Sequence, residues 1–282
     1  MVECFRPHTL AEALSIRKAK DVIPFAGGTD LMVTYRGVSE TSTVFPDPVL
    51  FVDGIAEIKE IKRAADGFLS IGAGCTLTSV LSNNGVPALI KAAVGEIAAP
   101  AIRNRATLAG NICNSSPAGD SLPALYVLGA KLKLLSSSTE RVVPVEKFIT
   151  GPGKNVLRND EILTEIIIPL HVFSIIYYRK VGTRKANALS KLSIAAAADV
   201  KEEKLMDIRV ALGAVGPTII RDRDIESGMI GLNIKNIKIE KILKAYENLI
   251  RPIDDQRSTA AYRKKVTLNL VKYFLTQYIK PN

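Results

Sequence analysis

Histidine and cysteine are scarce in this 282-residue chain, and their scarcity removes several classes of chemistry. The two histidines, His8 and His171, are far apart and lie in polar segments near prolines. A surface position is favoured for both over a catalytic role, so a Ser/His/Asp hydrolase has little support. The three cysteines, Cys4, Cys75 and Cys113, form no CxxC pair. We therefore expect free thiols and no iron–sulfur or zinc ligation within this chain. We assign a catalytic role to no residue.

Long apolar runs are also missing. The longest, such as Ile194 to Ala198, have the length of a strand, whereas a membrane helix needs roughly 20 residues. The first residues, Met-Val-Glu-Cys-Phe-Arg-Pro, lack a signal-peptide pattern, so we expect a cytoplasmic protein without a membrane span. An apolar content of 47% and a charged content of 23% are ordinary for a globular protein of one large or two modest domains.

A formal net charge of +10 raises the question of nucleic-acid binding. Lysine and arginine are scattered among acidic residues, and the densest basic segment, Tyr177 to Lys185, matches no nucleic-acid motif. A basic solvated surface is the favoured interpretation, with an acidic protein partner as the alternative. We expect no nucleic-acid ligand.

The N-terminal part alternates helix and strand signals. Thr9 and Glu12 form a capping box that begins an apolar-periodic helix. Lys131 to Leu135 and Arg141 to Val145 flank a serine-rich turn and predict a hairpin. Further predictions are strands at Val22 to Ala26, Phe68 to Gly74 and Glu165 to Pro169, and helices at Leu31 to Tyr35, after Thr76, at Val86 to Ile97 and at Leu122 to Leu128.

The pattern changes near residues 170–177. Ile194 to Val200 and Met206 to Val215 predict an antiparallel hairpin across the charged turn Lys201 to Lys204. Two helices end the chain, which indicates an α+β arrangement with helices on a small sheet. The apolar faces predicted for these helices are Ile242, Ala245, Tyr246 and Leu249, and then Tyr262, Val266, Leu270, Phe274 and Tyr278.

Two polar loops of small residues are the candidate binding elements. The first contains Ala26-Gly-Gly-Thr-Asp30 directly after a predicted strand. Backbone N–H groups of such a loop can hold a pyrophosphate without a charged side chain. The loop is neither GxGxxG nor a Walker loop, so a nicotinamide Rossmann site and an ordinary NTPase are both unsupported. The open alternative is a tight turn in which Thr29 or Asp30 caps the next helix.

The second loop, Ile102 to Asp120, is almost free of bulky apolar residues, and we predict no ordinary helix or strand within it. Thr107 and Asn111 are candidate donors to phosphate oxygens, and Gly110 permits close approach. Asp120 is a candidate acceptor from sugar hydroxyls, or the cap of the following helix, and these two roles are compatible. Together the loops indicate one extended, phosphate-bearing ligand held between them.

These loops resemble the FAD-binding loops in the flavin subunits of the molybdenum hydroxylases, which include xanthine dehydrogenase, the carbon monoxide dehydrogenase medium subunit and nicotinate dehydrogenase. The first FAD loop is matched by residues 26–30 and the second by Ala106 to Asp120. Further matches follow in order: Val143-Pro144 with Phe148, Asp160 to Pro169, Arg179 to Ala186, and Ser258 to Arg263. Six pieces in the right order are specific, and they span almost the whole chain.

The resemblance implies FAD as the cofactor and assigns residues to it. The pyrophosphate would be wrapped by Ala26, Gly27, Gly28, Thr29, Asp30 and Leu31. The second phosphate loop would contain Thr107, Gly110, Asn111 and Ser115. Asp120 would contact the ribityl or ribose region, and Leu163 and Lys180 would lie near the isoalloxazine ring. Without the resemblance, an exposed lysine in a basic segment would be the favoured interpretation of Lys180.

The resemblance also implies an α+β fold in two domains. Residues 1–172 would form a two-subdomain FAD-binding domain of the vanillyl-alcohol-oxidase (PCMH) type, and residues 173–282 a carbon monoxide dehydrogenase flavoprotein C-terminal-like domain. The implied function is electron transfer from the iron–sulfur clusters of a partner through FAD to NAD or another acceptor. The implied partners are a molybdopterin-containing large subunit and a two-cluster iron–sulfur small subunit. The alternative is an FAD- or nucleotide-binding assembly or regulatory protein without turnover.

Overall fold

The structure is a computed structural model that describes residues 2–36, 44–64 and 66–280. The strands are β1 (Cys4–Phe5), β2 (Ile23–Phe25), β3 (Val49–Phe51), β4 (Ile61–Arg63), β5 (Phe68–Gly72), β6 (Lys131–Leu135), β7 (Glu140–Pro144), β8 (Ile149–Gly151), β9 (Lys154–Asn155), β10 (Ile162–Pro169), β11 (Ile175–Val181), β12 (Leu192–Lys201) and β13 (Lys204–Gly213). The helices are α1 (Leu10–Ala19), α2 (Leu31–Thr34), α3 (Leu77–Ser82), α4 (Ala88–Gly95), α5 (Pro100–Arg103), α6 (Leu108–Cys113), α7 (Leu122–Leu128), α8 (Val145–Phe148), α9 (Arg223–Ser227), α10 (Ile239–Leu249) and α11 (Ala260–Phe274), which continues as a π turn over Leu275–Ile279.

Local sequence signals set several helix boundaries. The Thr9 hydroxyl accepts a hydrogen bond from the Glu12 N–H at 3.2 Å, and Thr76 caps α3 in the same way. The Glu12 carboxylate accepts in return from the N–H of His8 at 2.8 Å. The two predicted N-caps are thus confirmed, and α7 has the predicted bounds, Leu122–Leu128.

The first compact unit contains the residues up to Val86, Ala99–Ser115 and Ala130–Pro169. It has a parallel sheet of order β1-β3-β2 and an antiparallel sheet of order β4-β5-β10-β6-β7. The β6–β7 pair is the predicted hairpin, with Leu132 opposite Val143. The central strand β10 pairs with β5 on one edge and with β6 on the other, and five of its eight residues are buried.

The second compact unit contains Pro87–Ala98, Ser116–Gly129 and the chain from Leu170 onward. Its antiparallel sheet has the order β11-β12-β13. Every residue from Leu192 to Ala198 is buried, because α11 contacts the sheet at β12 and α7 contacts both β12 and β13. Burial on both faces explains why this strand is a continuous apolar run rather than an alternating one.

The predicted hairpin across the charged turn is confirmed by the β12–β13 pair. Glu202 and Glu203 have φ values of 50° and 59°, the conformation of a type I′ turn, which suits the twist of an antiparallel pair. The predicted α+β class is confirmed. The predicted boundary after residue 172 stays a prediction. Within the described ranges, no helix combines the length and apolar character needed to cross a membrane.

The buried face of α11 differs from the prediction. Of the predicted series at four-residue spacing, only Phe274 is buried, whereas Tyr262 and Tyr278 are 43% and 39% exposed. Each four-residue step turns an α-helix by about 400°, so a series of four steps drifts by roughly 160° around the axis. The buried residues are Arg263, Thr267, Val271 and Phe274.

Candidate functional site

The first polar loop joins β2 to α2. Gly28 has a φ of +71°, and a Cβ atom at this position would overlap the Phe25 ring, so only glycine fits. Within the described ranges, no residue accepts a hydrogen bond from the backbone N–H groups of Gly27 to Leu31. The loop therefore presents a run of backbone donors, an arrangement that binds anions.

The structure does not support the alternative in which a side chain of this loop caps α2. Asp30 occupies the N-cap position of α2, but its backbone is helical and its carboxylate makes no capping hydrogen bond. That carboxylate instead accepts from the Thr34 hydroxyl at 3.3 Å. The start of α2 is left without a side-chain cap, which leaves its N–H groups to an external acceptor.

Gly27 forms the contact between the two loops. A Cβ atom at this position would lie 2.6 Å from the carbonyl carbon of Arg105 and 2.9 Å from the Cα atom of Ala106. The backbones of the first loop and of the segment that leads into Thr107 therefore touch with no side chain between them. The sequence prediction that both loops serve one ligand is consistent with this contact.

The second loop contains helices that the sequence analysis excluded. Helix α6 begins after Thr107, whose hydroxyl accepts from the Gly110 N–H at 2.9 Å. Leu108 and Ile112 are fully buried at i, i+4 spacing, an apolar periodicity that the prediction for this short segment did not include. Asn111 lies in the same helix, and its N–H donates to the Thr107 carbonyl at 3.1 Å. Thr107, Gly110 and Asn111 are thus brought together on one helical turn.

Ser115 supports the second loop from inside. It is fully buried with a φ of +54°, and its hydroxyl lies 3.1 Å from the Cys113 carbonyl. The Asn155 amide donates to both the Ser115 hydroxyl and the Cys113 carbonyl at 3.0 Å. These bonds fix the end of α6, so the geometry gives Ser115 a structural role.

Leu163 lies in the antiparallel sheet of the first unit. It is on β10, opposite Leu134 of β6, and is only 4% exposed. A β-bulge follows between Leu163 and Glu165. The residue is therefore a core position at an irregular point of the strand.

Asp120 and Lys180 form a buried ion pair in the second unit. The Lys180 ammonium donates to Asp120 Oδ2 at 2.6 Å and to the Glu96 carbonyl at 2.9 Å. The two side chains are 9% and 6% exposed, so the interpretation of Lys180 as an exposed surface lysine is wrong. Asp120 does not cap α7 either, because the N-cap of that helix is Ser121 and makes no side-chain cap bond.

Burial raises the pKa of the Asp120 carboxyl. The charge of Lys180 and the hydrogen bonds from Lys180 and Ser190 oppose this rise without cancelling it. Removing a carboxylate from water disfavours its charged form, and an adjacent cation recovers only part of that free energy. The pair therefore depends on every donor around the carboxylate.

Two residues that contact Asp120 were not among the predicted site residues. The fully buried Ser190 hydroxyl donates to Asp120 Oδ1, and the Tyr178 hydroxyl donates to the Asp120 carbonyl at 3.2 Å. Side chains alternate between the two faces of a strand, so Tyr178 and Lys180 lie on the same face of β11. A prediction of residues 175–181 as a strand would therefore have placed Tyr178 beside Lys180. Ser190 carries no comparable signal, since it lies in a loop 70 residues from Asp120.

The C-terminal motif from Ser258 to Arg263 forms a buried clamp on Asp255. The Arg263 guanidinium is 3% exposed, donates to Asp255 Oδ1 and also reaches the Ala214 carbonyl at 3.1 Å. Burial alone would raise the pKa of Asp255, but the hydrogen bonds and charges of Arg263 and Arg257 outweigh it and lower that pKa to about 2.

We expect the Asp255→Asn variant to lose stability in a pH-dependent way. A carboxyl whose pKa is lowered by folding stabilises the protein above its unfolded pKa of 3.8 and loses that contribution as the pH falls toward about 2. The difference in the free energy of unfolding between wild type and variant should be largest at neutral pH and shrink below pH ~4. Urea denaturation across this range measures it, and a difference independent of pH would contradict the clamp.

Metal ligands are not assembled in the described part of the chain, where no group of three His, Cys, Asp or Glu side chains has the geometry to hold an ion. His8 and His171 are exposed, and all three cysteines are free, as expected.

Comparison with known proteins assigns the two halves of the chain. The sequence profile of the FAD binding domain in molybdopterin dehydrogenase matches residues 1–171, and that of the CO dehydrogenase flavoprotein C-terminal domain matches residues 177–278. The chain is 30% identical to the xanthine dehydrogenase FAD-binding subunit of Escherichia coli O157:H7, over 97% of this chain and 94% of that protein. It is also 30% identical to the glyceraldehyde dehydrogenase medium chain of Sulfolobus acidocaldarius, over 93% and 92%.

The fold is shared with a solved structure. Carbon monoxide dehydrogenase from Hydrogenophaga pseudoflava aligns with a TM-score of 0.88 at 24% identity, covering 96% of this chain and 94% of that chain. Both polar loops lie within the segment that matches the FAD binding domain. The chain therefore belongs to the family of FAD-binding subunits of the molybdenum hydroxylases, and it is an oxidoreductase subunit whose cofactor is FAD.

Proposed function

We propose that this subunit transfers electrons within a molybdenum hydroxylase complex. It receives them from the iron–sulfur clusters of a small partner subunit and delivers them to NAD or another acceptor. A molybdopterin-containing large subunit oxidises the substrate and determines which substrate is used. When bound, FAD supplies the chemistry that accepts electrons singly and releases them as a pair. We also propose that the complex is cytoplasmic.

The observation that carries the proposal is the run of backbone donors from Gly27 to Leu31. These N–H groups have no acceptor within the described ranges, and the loop ends at a helix start without a side-chain cap. A pyrophosphate supplies the oxygen acceptors that such a loop lacks. The residues present therefore fit the phosphate part of FAD without a lysine or arginine in the loop.

The second loop extends this phosphate site. We propose that Thr107 and Asn111 donate to the phosphates from the first turn of α6. The Thr107 hydroxyl accepts from Gly110 and still carries a proton to donate. A Cβ atom at Gly110 would lie 3.0 Å from the Thr107 hydroxyl, so glycine at this position leaves that hydroxyl uncrowded. We propose no ligand contact for the buried Ser115.

The proposal keeps the flavin contacts that the family resemblance implies for other residues. Lys180 would place a cation beside the isoalloxazine ring, Asp120 would contact the ribityl or ribose region, and Leu163 would lie near the ring. Lys180 is suited to such a role because Asp120 and the Glu96 carbonyl hold its ammonium in place.

A rapid-reaction experiment on the purified complex tests the function. We expect one FAD per chain, and the flavin absorption band should bleach when electrons enter at the iron–sulfur clusters and recover on anaerobic mixing with the acceptor. Both steps should be at least as fast as turnover. A flavin that stays oxidised, or is reduced more slowly than turnover, when electrons enter at the clusters in the absence of acceptor would contradict electron transfer and favour an assembly or regulatory role.

A further inference from the structure

The Lys180 ammonium is oriented by two fixed acceptors. Asp120 Oδ2 lies at 2.6 Å and the Glu96 carbonyl at 2.9 Å. A lysine ammonium has three donors, so one N–H remains after these two bonds among the described residues. The direction of that third N–H depends on where the Asp120 carboxylate is held.

Ser190 holds the other oxygen of that carboxylate. Its hydroxyl donates to Asp120 Oδ1, and the residue has no solvent exposure. The bond is therefore shielded from solvent in the folded protein. A buried carboxylate oxygen that loses its donor carries the full desolvation penalty, so the carboxylate would shift or take up a proton. In either case Lys180 loses its fixed partner.

Ser190 is itself held by the C-terminal clamp. Arg257 Nη1 donates to the Ser190 carbonyl at 3.3 Å, and Arg257 Nη2 lies 3.1 Å from Asp255 Oδ2. Arg263 holds the other Asp255 oxygen. A continuous set of polar contacts thus connects the motif from Ser258 to Arg263 with Lys180, through Ser190 and Asp120.

We infer that Ser190 is a positioning residue for the flavin-facing lysine: it fixes the Asp120 carboxylate and thereby the free N–H of Lys180. Arg257 acts one contact further away, by fixing the Ser190 backbone. The inference rests on the proposed function, in which Lys180 contacts the flavin. The inference assigns the motif from Ser258 to Arg263 an indirect role in orienting Lys180.

Amine labelling of the full chain tests the positioning directly. Reductive methylation with formaldehyde, followed by mass spectrometry, compares Lys180 with the exposed Lys244 in the same sample. We expect Ser190→Ala to raise labelling of Lys180 about tenfold relative to Lys244, because losing a buried bond to a charged group costs roughly one decade of equilibrium. Unchanged labelling of Lys180 would overturn the inference.

Ser193→Ala is the matched control. Ser193 is also a buried serine, lies directly opposite Lys180 in the β11–β12 pair, and is not bonded to Asp120. Its loss should leave Lys180 labelling unchanged, and an equal rise in both variants would overturn the inference in favour of general loosening. If Ser190→Ala fails to fold, Arg257→Met provides the same test, with a smaller rise expected and no rise counting against the inference.

FAD binding separates this inference from the proposed function. Added FAD should protect Lys180 from methylation in the wild type, and Ser190→Ala should weaken FAD binding about tenfold by fluorescence titration. Increased labelling in Ser190→Ala without protection by FAD would support the positioning of Lys180 and refute its flavin contact. If Ser190→Ala shows wild-type labelling of Lys180 and wild-type FAD affinity, the positioning role of Ser190 is refuted and the proposed function is unaffected.

Discussion

Replacing Gly27 with alanine should weaken FAD binding about a hundredfold, because a loop displaced by an ångström loses its aligned donors. The new Cβ atom would lie 2.6 Å from the carbonyl carbon of Arg105, and backbone on both sides cannot yield as a flexible side chain does. The two loops must therefore separate. We also expect a loss of about 1–3 kcal/mol in the free energy of unfolding, typical of an overpacked contact.

Fluorescence titration with FAD and urea denaturation measure the two effects of Gly27→Ala. Gly151→Ala is the control, because a Cβ atom at Gly151 meets no atom within 4 Å and its φ is not positive. The control should bind FAD as the wild type does. Unchanged FAD affinity in Gly27→Ala would show that the contact between the loops does not shape the phosphate site.

Breaking the Asp120–Lys180 pair should cost about 3–5 kcal/mol of unfolding free energy, because removal of one partner leaves an uncompensated buried charge. We expect this for Asp120→Asn and for Lys180→Met at neutral pH. The double variant should be more stable than the sum of the single losses predicts, because no charge then remains unpaired. Urea denaturation of the three variants gives the coupling free energy.

The loss in Lys180→Met should diminish as the pH falls. Burial already raises the pKa of Asp120, and removal of Lys180 raises it further, so the folded variant binds a proton more readily than the unfolded chain. Stability that folding gains from protonation is present at low pH and is lost as the pH rises through the folded pKa. A loss that does not vary with pH would contradict this account.

An exposed ion pair provides the comparison. Lys235 Nζ lies 2.6 Å from Glu203 Oε1, the same distance as in the Lys180–Asp120 pair, yet the two side chains are 68% and 53% exposed. Lys235→Met should leave the free energy of unfolding nearly unchanged, since water replaces the lost partner. Equal losses in Lys180→Met and Lys235→Met would mean that burial does not control the strength of these pairs.

Local signals in the sequence determined much of the secondary structure and the cofactor class. Thr9 and Thr76 cap helices because the bonds that they form reach only three residues along the chain. The β6–β7 and β12–β13 hairpins were predictable because their turns are short and their strands adjacent in sequence. The two polar loops, taken with the other motifs in order, indicated the flavin family, and the comparisons confirm that family.

Features that depend on distant residues were decided by the tertiary structure alone. The need for glycine at position 27 comes from Arg105, and the environment of Asp120 comes from Lys180 and Ser190. Local composition alone favoured a surface lysine at position 180 because its neighbours are basic, and only the family resemblance placed Lys180 near the flavin. The fold buries Lys180 against a carboxylate 60 residues away. Residues that are far apart in sequence and contact each other in the fold produce no periodic or local pattern in the sequence. Only the folded chain brings them together and determines the environment of their charged groups.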